Sequence, residues 1–263
     1  MDCDHEEAHQ HLMLHELPPE LLQRVAEAMD AREYAALLRS CTACRAAAAS
    51  ALHVVVAAEV GRRLKMGQQV GDAICRQCPA LVVPAGVTNI RAHAFRDCTS
   101  LTTIVLPAGL GSVGDWAFVG SCSLTSVVLP NSCTSIGNGA FSGCKALATI
   151  NLPASLTELG YQAFATCESL KAILIPDDIV TIENTTFANC KALTSVNLPA
   201  NLTTIKFRAF YTCTALKSIT LPDSVSAIDD KAFRGCTALD APSRERIRAI
   251  CPVGTYPNSG AIF

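Results

Sequence analysis

Charge is scarce in this sequence. Only 17% of its 263 residues are Asp, Glu, Lys or Arg, and the net charge is −2. That balance gives no general electrostatic case for nucleic acid, whose phosphates call for a basic face. Long apolar runs are also missing. Half of the residues are hydrophobic, yet no run approaches the ~20 residues of a membrane-spanning helix. The opening MDCDHEEAHQHLMLHELPPE has neither a basic start nor an apolar core. No secretory signal is read there, and a cytoplasmic or nuclear location is expected. Chemistry-bearing constellations are thin as well. His53 and His93 are isolated, and no nucleophile–base pair, phosphate-cradling glycine loop or paired acid set recurs. The expectation is a chain that is not an enzyme and needs no cofactor.

What the chain does have is repetition. From Cys78 to Ala238 one 23-residue phrase is written seven times, starting at Cys78, Leu101, Leu124, Leu147, Leu170, Leu193 and Leu216. A period of this length is the signature of a solenoid. Three residues into each copy stands an aliphatic residue (Leu81, Ile104, Val127, Ile150, Ile173, Val196, Ile219) and two further on another. That alternation predicts a short strand. A proline always follows, from Pro84 to Pro222. It has no N–H for a ladder and ends the strand. A second short extended segment carries two more apolar columns. An A-F-x-x-C segment then makes a tight or 3₁₀-like turn. One copy cannot bury its own apolar face, so copies must stack, setting Phe95, Phe118, Phe141, Phe164, Phe187, Phe210 and Phe233 in a spine.

These columns resemble the BspA-type leucine-rich repeat, over residues 78–239. The resemblance implies a solenoid of short β-strands and turns in seven 23-residue coils, closed by a C-terminal cap at residues 239–263. Pro242 and Ser243 open a short helix there, with Ile247, Ile250 and Cys251 apolar. The family uses its surface for many partners, so it does not name a ligand.

Fourteen cysteines would suggest disulfides in a secreted chain. Six of them (Cys98, Cys144, Cys167, Cys190, Cys213, Cys236) form a repeat column, where neighbours stack ~4.8 Å apart with parallel side chains. A disulfide needs Cβ atoms ~3.8 Å apart and converging. These thiols read as small buried hydrophobes in a reducing compartment. Ser121 interrupts the column. Cys41-x-x-Cys44 and Cys75-x-x-Cys78 look like a four-thiolate zinc set. However, Cys41 lies on an apolar helical face, Cys78 starts a repeat column, and the separation exceeds common zinc-ribbon spacing, so no metal is expected.

Before the repeats the composition changes. Residues 1–60 carry ten acidic and four basic residues, net −6, against +4 for the remainder. Residues 1–15 read as a solvated His- and acid-rich tail. Residues 16–52 have the period of three helices, with Pro18, Pro19 and Glu20 opening the first and Leu21, Leu22, Val25 and Met29 on one face. This stretch resembles an F-box through Leu17, Pro18, Glu20, Leu21, Leu22, Val25, Met29, Leu37, Cys41 and Arg45. It departs from the pattern at Tyr34, Ser40 and Cys44. The resemblance implies docking of a Skp-type adaptor through Leu17, Pro18, Leu21, Leu22 and Val25, and a substrate receptor of a ubiquitin ligase. A plain three-helix cap has the same periodicity, leaving a BspA-like binding or adhesion protein. Residues 53–77 read as an apolar segment, a basic turn (Arg62, Arg63, Lys65) and a cap for the first coil.

Binding should sit on strand positions that face solvent beside the core columns. One row is small and mostly hydroxylated, including Thr103, Ser126 and Thr149. The next reads Val82, Val105, Val128, Asn151, Leu174, Asn197, Thr220. Its aliphatic members suit a strand surface. They suit a strip for an unidentified protein or peptide partner equally well. Lys171 and Lys217 vary a neighbouring column. The chain alone is expected to be a monomer without a membrane span.

Overall fold

A strand cut short by proline after three residues can only pair with the same strand of the next copy, and this sets the architecture. The computed structural model describes residues 58–77, 79–229 and 231–251. Residues 1–57, including the F-box-like stretch and its adaptor candidates Leu17, Pro18, Leu21, Leu22 and Val25, lie outside the described residues, as do Cys41, Cys44, Cys78 and the C-terminal tail.

The first-strand copies are β1 (Ala80–Val82), β3 (Thr103–Val105), β5 (Ser126–Val128), β7 (Thr149–Asn151), β9 (Ala172–Leu174) and β11 (Ser195–Asn197). The second-strand copies are β2 (Asn89–Ile90), β4 (Ser112–Val113), β6 (Ser135–Ile136), β8 (Glu158–Leu159), β10 (Thr181–Ile182), β12 (Thr204–Ile205) and β13 (Ala227–Ile228). All pairing is parallel, residue to equivalent residue, as in Leu81 with Ile104 and Ile104 with Val127. Two ladders result, β1-β3-β5-β7 with β9-β11 and β2-β4-β6-β8 with β10-β12-β13. Both are interrupted between the fourth and fifth coils.

A third row of bonds runs along the Phe side. The N–H groups of Phe95, Phe118, Phe141, Phe164, Phe187 and Phe210 each donate to the carbonyl of residue 117, 140, 163, 186, 209 or 232 in the next coil, at 2.7–2.9 Å. The A-F-x-x-C segment is a run of tight turns, with Ala94 N–H to Arg91, Arg96 N–H to His93 and Cys98 N–H to Phe95. Two residues per coil take left-handed backbone there, which the sequence reading did not foresee. One column holds His93, Trp116, Gly139, Gln162, Thr185, Arg208 and Lys231, at φ between 53° and 59°. The other holds Asp97, Gly120, Gly143, Thr166, Asn189, Thr212 and Gly235.

The seven Phe side chains are fully buried, with rings stacked 4.9–5.6 Å apart and within 12° of parallel. The repeat-column cysteines are free and buried. They do more than fill space, since from Cys144 on each thiol bonds the carbonyl of the preceding coil's Phe at 3.1–3.2 Å. Ser121 makes the same bond to Phe95 at 2.8 Å, so the interruption keeps the donor. Burial pushes the Cys190 thiol up to about 12 and raises the Cys144 and Cys167 thiols well above the ordinary thiol range.

Seven full coils were expected, and six carry both strands. Residues 218–220 of the seventh are not a strand. Instead the hydroxyl of Ser243 accepts from Ile219 N–H at 3.0 Å and donates to its carbonyl at 3.3 Å. Ser243 belongs to α2 (Ala241–Ile250), capped by Asp240 with Pro242 in its first turn and Ile247 buried. At the other end Arg62 and Arg63 lie in a helix rather than a turn, where both pair with Glu59. Val60, Leu64 and Val70 are buried, and Val70 N–H bonds Ala94. The short helix α1 (Asp72–Gln77) is tied to the first coil by Asp72, which accepts from Ser100 N–H at 2.8 Å.

Candidate functional site

In a strand whose centre is buried, the flanking side chains must point outward. The middle residues of the first-strand ladder are buried and those beside them are exposed. The outward row is brought together as the columns imply. Val82, Val105 and Val128 are in register on β1, β3 and β5, followed by Asn151 on β7. Their side chains stand about one strand spacing apart, ~4.8 Å. They are 55%, 59% and 68% exposed, and Leu174 on β9 is 62% exposed. Asn197 and Thr220 are also exposed.

The hydroxyl-bearing residues divide into two sets that the sequence did not distinguish. Thr102, Thr125 and Thr194, at the start of each phrase, donate to backbone carbonyls one coil back at 3.0–3.1 Å. They knit the ladder. The side-chain hydroxyls of Thr103, Ser126, Thr149 and Ser195, one position later, make no hydrogen bond among the described residues and are open to a ligand. Lys171 and Lys217 are exposed; the Lys171 carbonyl accepts from Thr194 and the Lys217 carbonyl from the α2 cap residue Asp240.

The result is an apolar row lined by free hydroxyls on a rigid backbone. It carries no charge of its own and contains no nucleophile–base pair. Among the described residues no three His, Cys, Asp or Glu side chains gather as a metal site would need. No described helix is long and apolar enough to cross a membrane. Such a surface can desolvate against an apolar partner and offer it hydrogen bonds at the edge, the anatomy of a protein–protein contact.

Comparison with known proteins gives the same architecture. The family described as BspA type leucine rich repeat region matches residues 73–121 and 117–240, in six copies. No curated protein matches the chain. A leucine-rich-repeat protein of T. pallidum is similar at 29% identity and a TM-score of 0.64, over 69% of this chain and 85% of that one. A leucine-rich cell surface protein of Faecalibacterium prausnitzii is 31% identical, with a TM-score of 0.57, over 61% of this chain. A leucine-rich-repeat protein of Bacteroides ovatus is 35% identical, with a TM-score of 0.59, also over 61%. This chain spans 46% and 42% of the latter two.

Proposed function

We propose that this chain, which belongs to the BspA-type leucine-rich-repeat family, is a protein-binding scaffold that takes its partner on the outward face of the first-strand ladder. One observation carries the reading. Three neighbouring valines, Val82, Val105 and Val128, stand in register more than half exposed, beside hydroxyls that make no hydrogen bond among the described residues. Strand propensity accounts for a β-branched residue at each position. It does not by itself call for three consecutive valines on the outward row where Asn151, Asn197 and Thr220 stand at the equivalent positions.

The test is a paired capture. Wild type and a Val105→Glu/Val128→Glu variant are used to retain binding proteins from the source cells or their surroundings. Proteins retained by wild type and lost by the variant, at an unchanged thermal transition, support the reading. Equal retention contradicts it.

The narrower reading, a ubiquitin-ligase substrate receptor, rests on the Leu17–Arg45 pattern. It makes residues 16–52 the adaptor-binding module and the solenoid the substrate holder. Binding of a Skp-type adaptor in reducing buffer, lost in Leu21→Asp/Leu22→Asp, is the result it requires. Among the two, the plain scaffold accords better with the likeness to a cell surface repeat protein.

A further inference from the structure

The sixth coil differs from the others at one turn, where it holds a guanidinium beside two aromatic rings and gives it nothing to bond. At the left-handed position that carries His93, Trp116, Gly139, Gln162, Thr185 and Lys231 elsewhere, this coil carries Arg208, at φ 53°. Phe207 precedes it and Tyr211 stands later in the same turn. The Arg208 Cζ lies 4.9 Å from the Phe207 ring centroid and 5.0 Å from that of Tyr211. Both ring-bearing residues are fixed to the fifth coil. The Phe207 carbonyl accepts from Thr185 N–H at 2.9 Å and the Tyr211 carbonyl from Asn189 N–H at 2.7 Å. Tyr211 N–H donates in turn to the Arg208 carbonyl at 3.0 Å. The turn does not need these side chains. The fifth coil has Asn184, Thr185 and Ala188 at the same positions and makes the same bond, Ala188 N–H to Thr185 at 3.1 Å.

The guanidinium is thus held by cation–π contact and unanswered as a donor. Its Nε is buried without a hydrogen-bond partner, and the side chain makes no hydrogen bond or ion pair among the described residues. Glu183 of the fifth coil is already taken by Lys206, at 2.7 and 2.9 Å. Asp229, exposed at the Lys206 position of the seventh coil, makes no ion pair with Arg208. Two further cations stand on the seventh coil. Lys231 places its Nζ 6.0 Å from the Phe207 centroid. Arg234, at the Tyr211 position, is exposed and has no ion pair among the described residues. An arginine that only covers apolar surface keeps its head in water. Here one N–H has left water without a partner, which costs free energy, and the terminal Nη1 and Nη2 remain reachable. We infer that Arg208 anchors a carboxylate side chain of an acidic segment on a protein partner, taken end-on by the Nη1 and Nη2 fork. The two rings hold the fork in one orientation, so little side-chain freedom is lost on binding. Lys231 and Arg234 draw the acidic segment in. The site lies on a different segment of the coil from the valine row and does not depend on it.

The experiment titrates the full chain with a short, end-blocked peptide of alternating glutamate and glycine, and with its glutamine–glycine counterpart. The arginine Nε–H signals are followed by NMR, that of Arg208 being assigned by its loss in Arg208→Lys. The proposal expects saturable binding of the glutamate peptide only, with the Arg208 signal shifting in step. Arg208→Lys keeps the charge and removes the fork, and is expected to weaken binding about tenfold at an unchanged thermal transition. Phe207→Leu/Tyr211→Leu keeps Arg208 and removes the rings that orient it, and is expected to weaken binding as well. Val82→Thr/Val105→Thr/Val128→Thr leaves peptide binding unchanged, which separates this site from the scaffold face. Failure of the glutamate peptide to bind, equal binding of the glutamine peptide, an Arg208 signal that does not move, or full binding by Arg208→Lys overturns the proposal.

Discussion

Left-handed backbone is cheap for glycine and costs other L-residues ~1–2 kcal/mol, yet ten described non-glycine residues adopt it. Threonine at Thr166 is among the least suited, since a branched Cβ crowds the carbonyl there. Its hydroxyl makes no hydrogen bond among the described residues. Thr166→Gly is expected to raise stability by about 0.5–1 kcal/mol, the relief less glycine's extra freedom when unfolded; urea unfolding reads this directly. Gly139 shows the converse. A Cβ there would fall 2.1 Å from the Trp116 ring, which lies across it and meets Tyr161 edge-on at 6.1 Å. Gly139→Ala should therefore cost ~1–3 kcal/mol. The thiol column supplies a pH dependence. Folded Cys190 holds its proton up to about 12, against an ordinary value of 9.0, because burial disfavours the thiolate. The folded state binds that proton more tightly than the unfolded state, so the stabilisation is complete below pH 9.0 and is lost as pH rises towards about 12. Chemical unfolding across that window should show a falling midpoint, with a smaller fall in a Cys190→Ser variant.

At the scale of the element, the Phe spine and the terminal cap bear most directly on stability. Phe164 has ring partners on both sides, 5.5 and 5.6 Å away, whereas Phe233 stacks on Phe210 alone among the described residues. Phe164→Ala is expected to cost ~3–5 kcal/mol and Phe233→Ala less, as measured by equilibrium unfolding. The cap is a substitution of chemistry for geometry. One hydroxyl both donates and accepts, so Ser243 answers the two backbone groups of Ile219 that another coil would have met. Ser243→Ala leaves both buried and unpaired and should cost ~1–3 kcal/mol. Hydrogen exchange should quicken at Ile219 before it does at Ile104.

For the whole molecule, the sequence was legible wherever a residue type recurs. Leucine, proline and phenylalanine columns announced the strand, its end and the spine, because each has one physical use at its position. The outward row was legible as a row, since alternation fixes which side chains leave the core. What escaped reading depends on conformation or on departures from the column. A left-handed turn occupied by His93, Trp116 and Gln162 has no common side-chain signature. At the seventh first strand, Ile219 bonds the Ser243 hydroxyl of the cap, which the repeat columns do not announce.

The central claim is that the valine row exists to meet a protein rather than to hold its own strands. Val82→Thr/Val105→Thr/Val128→Thr keeps every Cβ branch and removes only apolar surface. The deciding measurement is retention of the partner proteins by this variant, with its thermal transition recorded alongside. The account predicts an unchanged transition and lost retention. A lowered transition with retention intact would contradict it and make the valines a structural feature of the ladder.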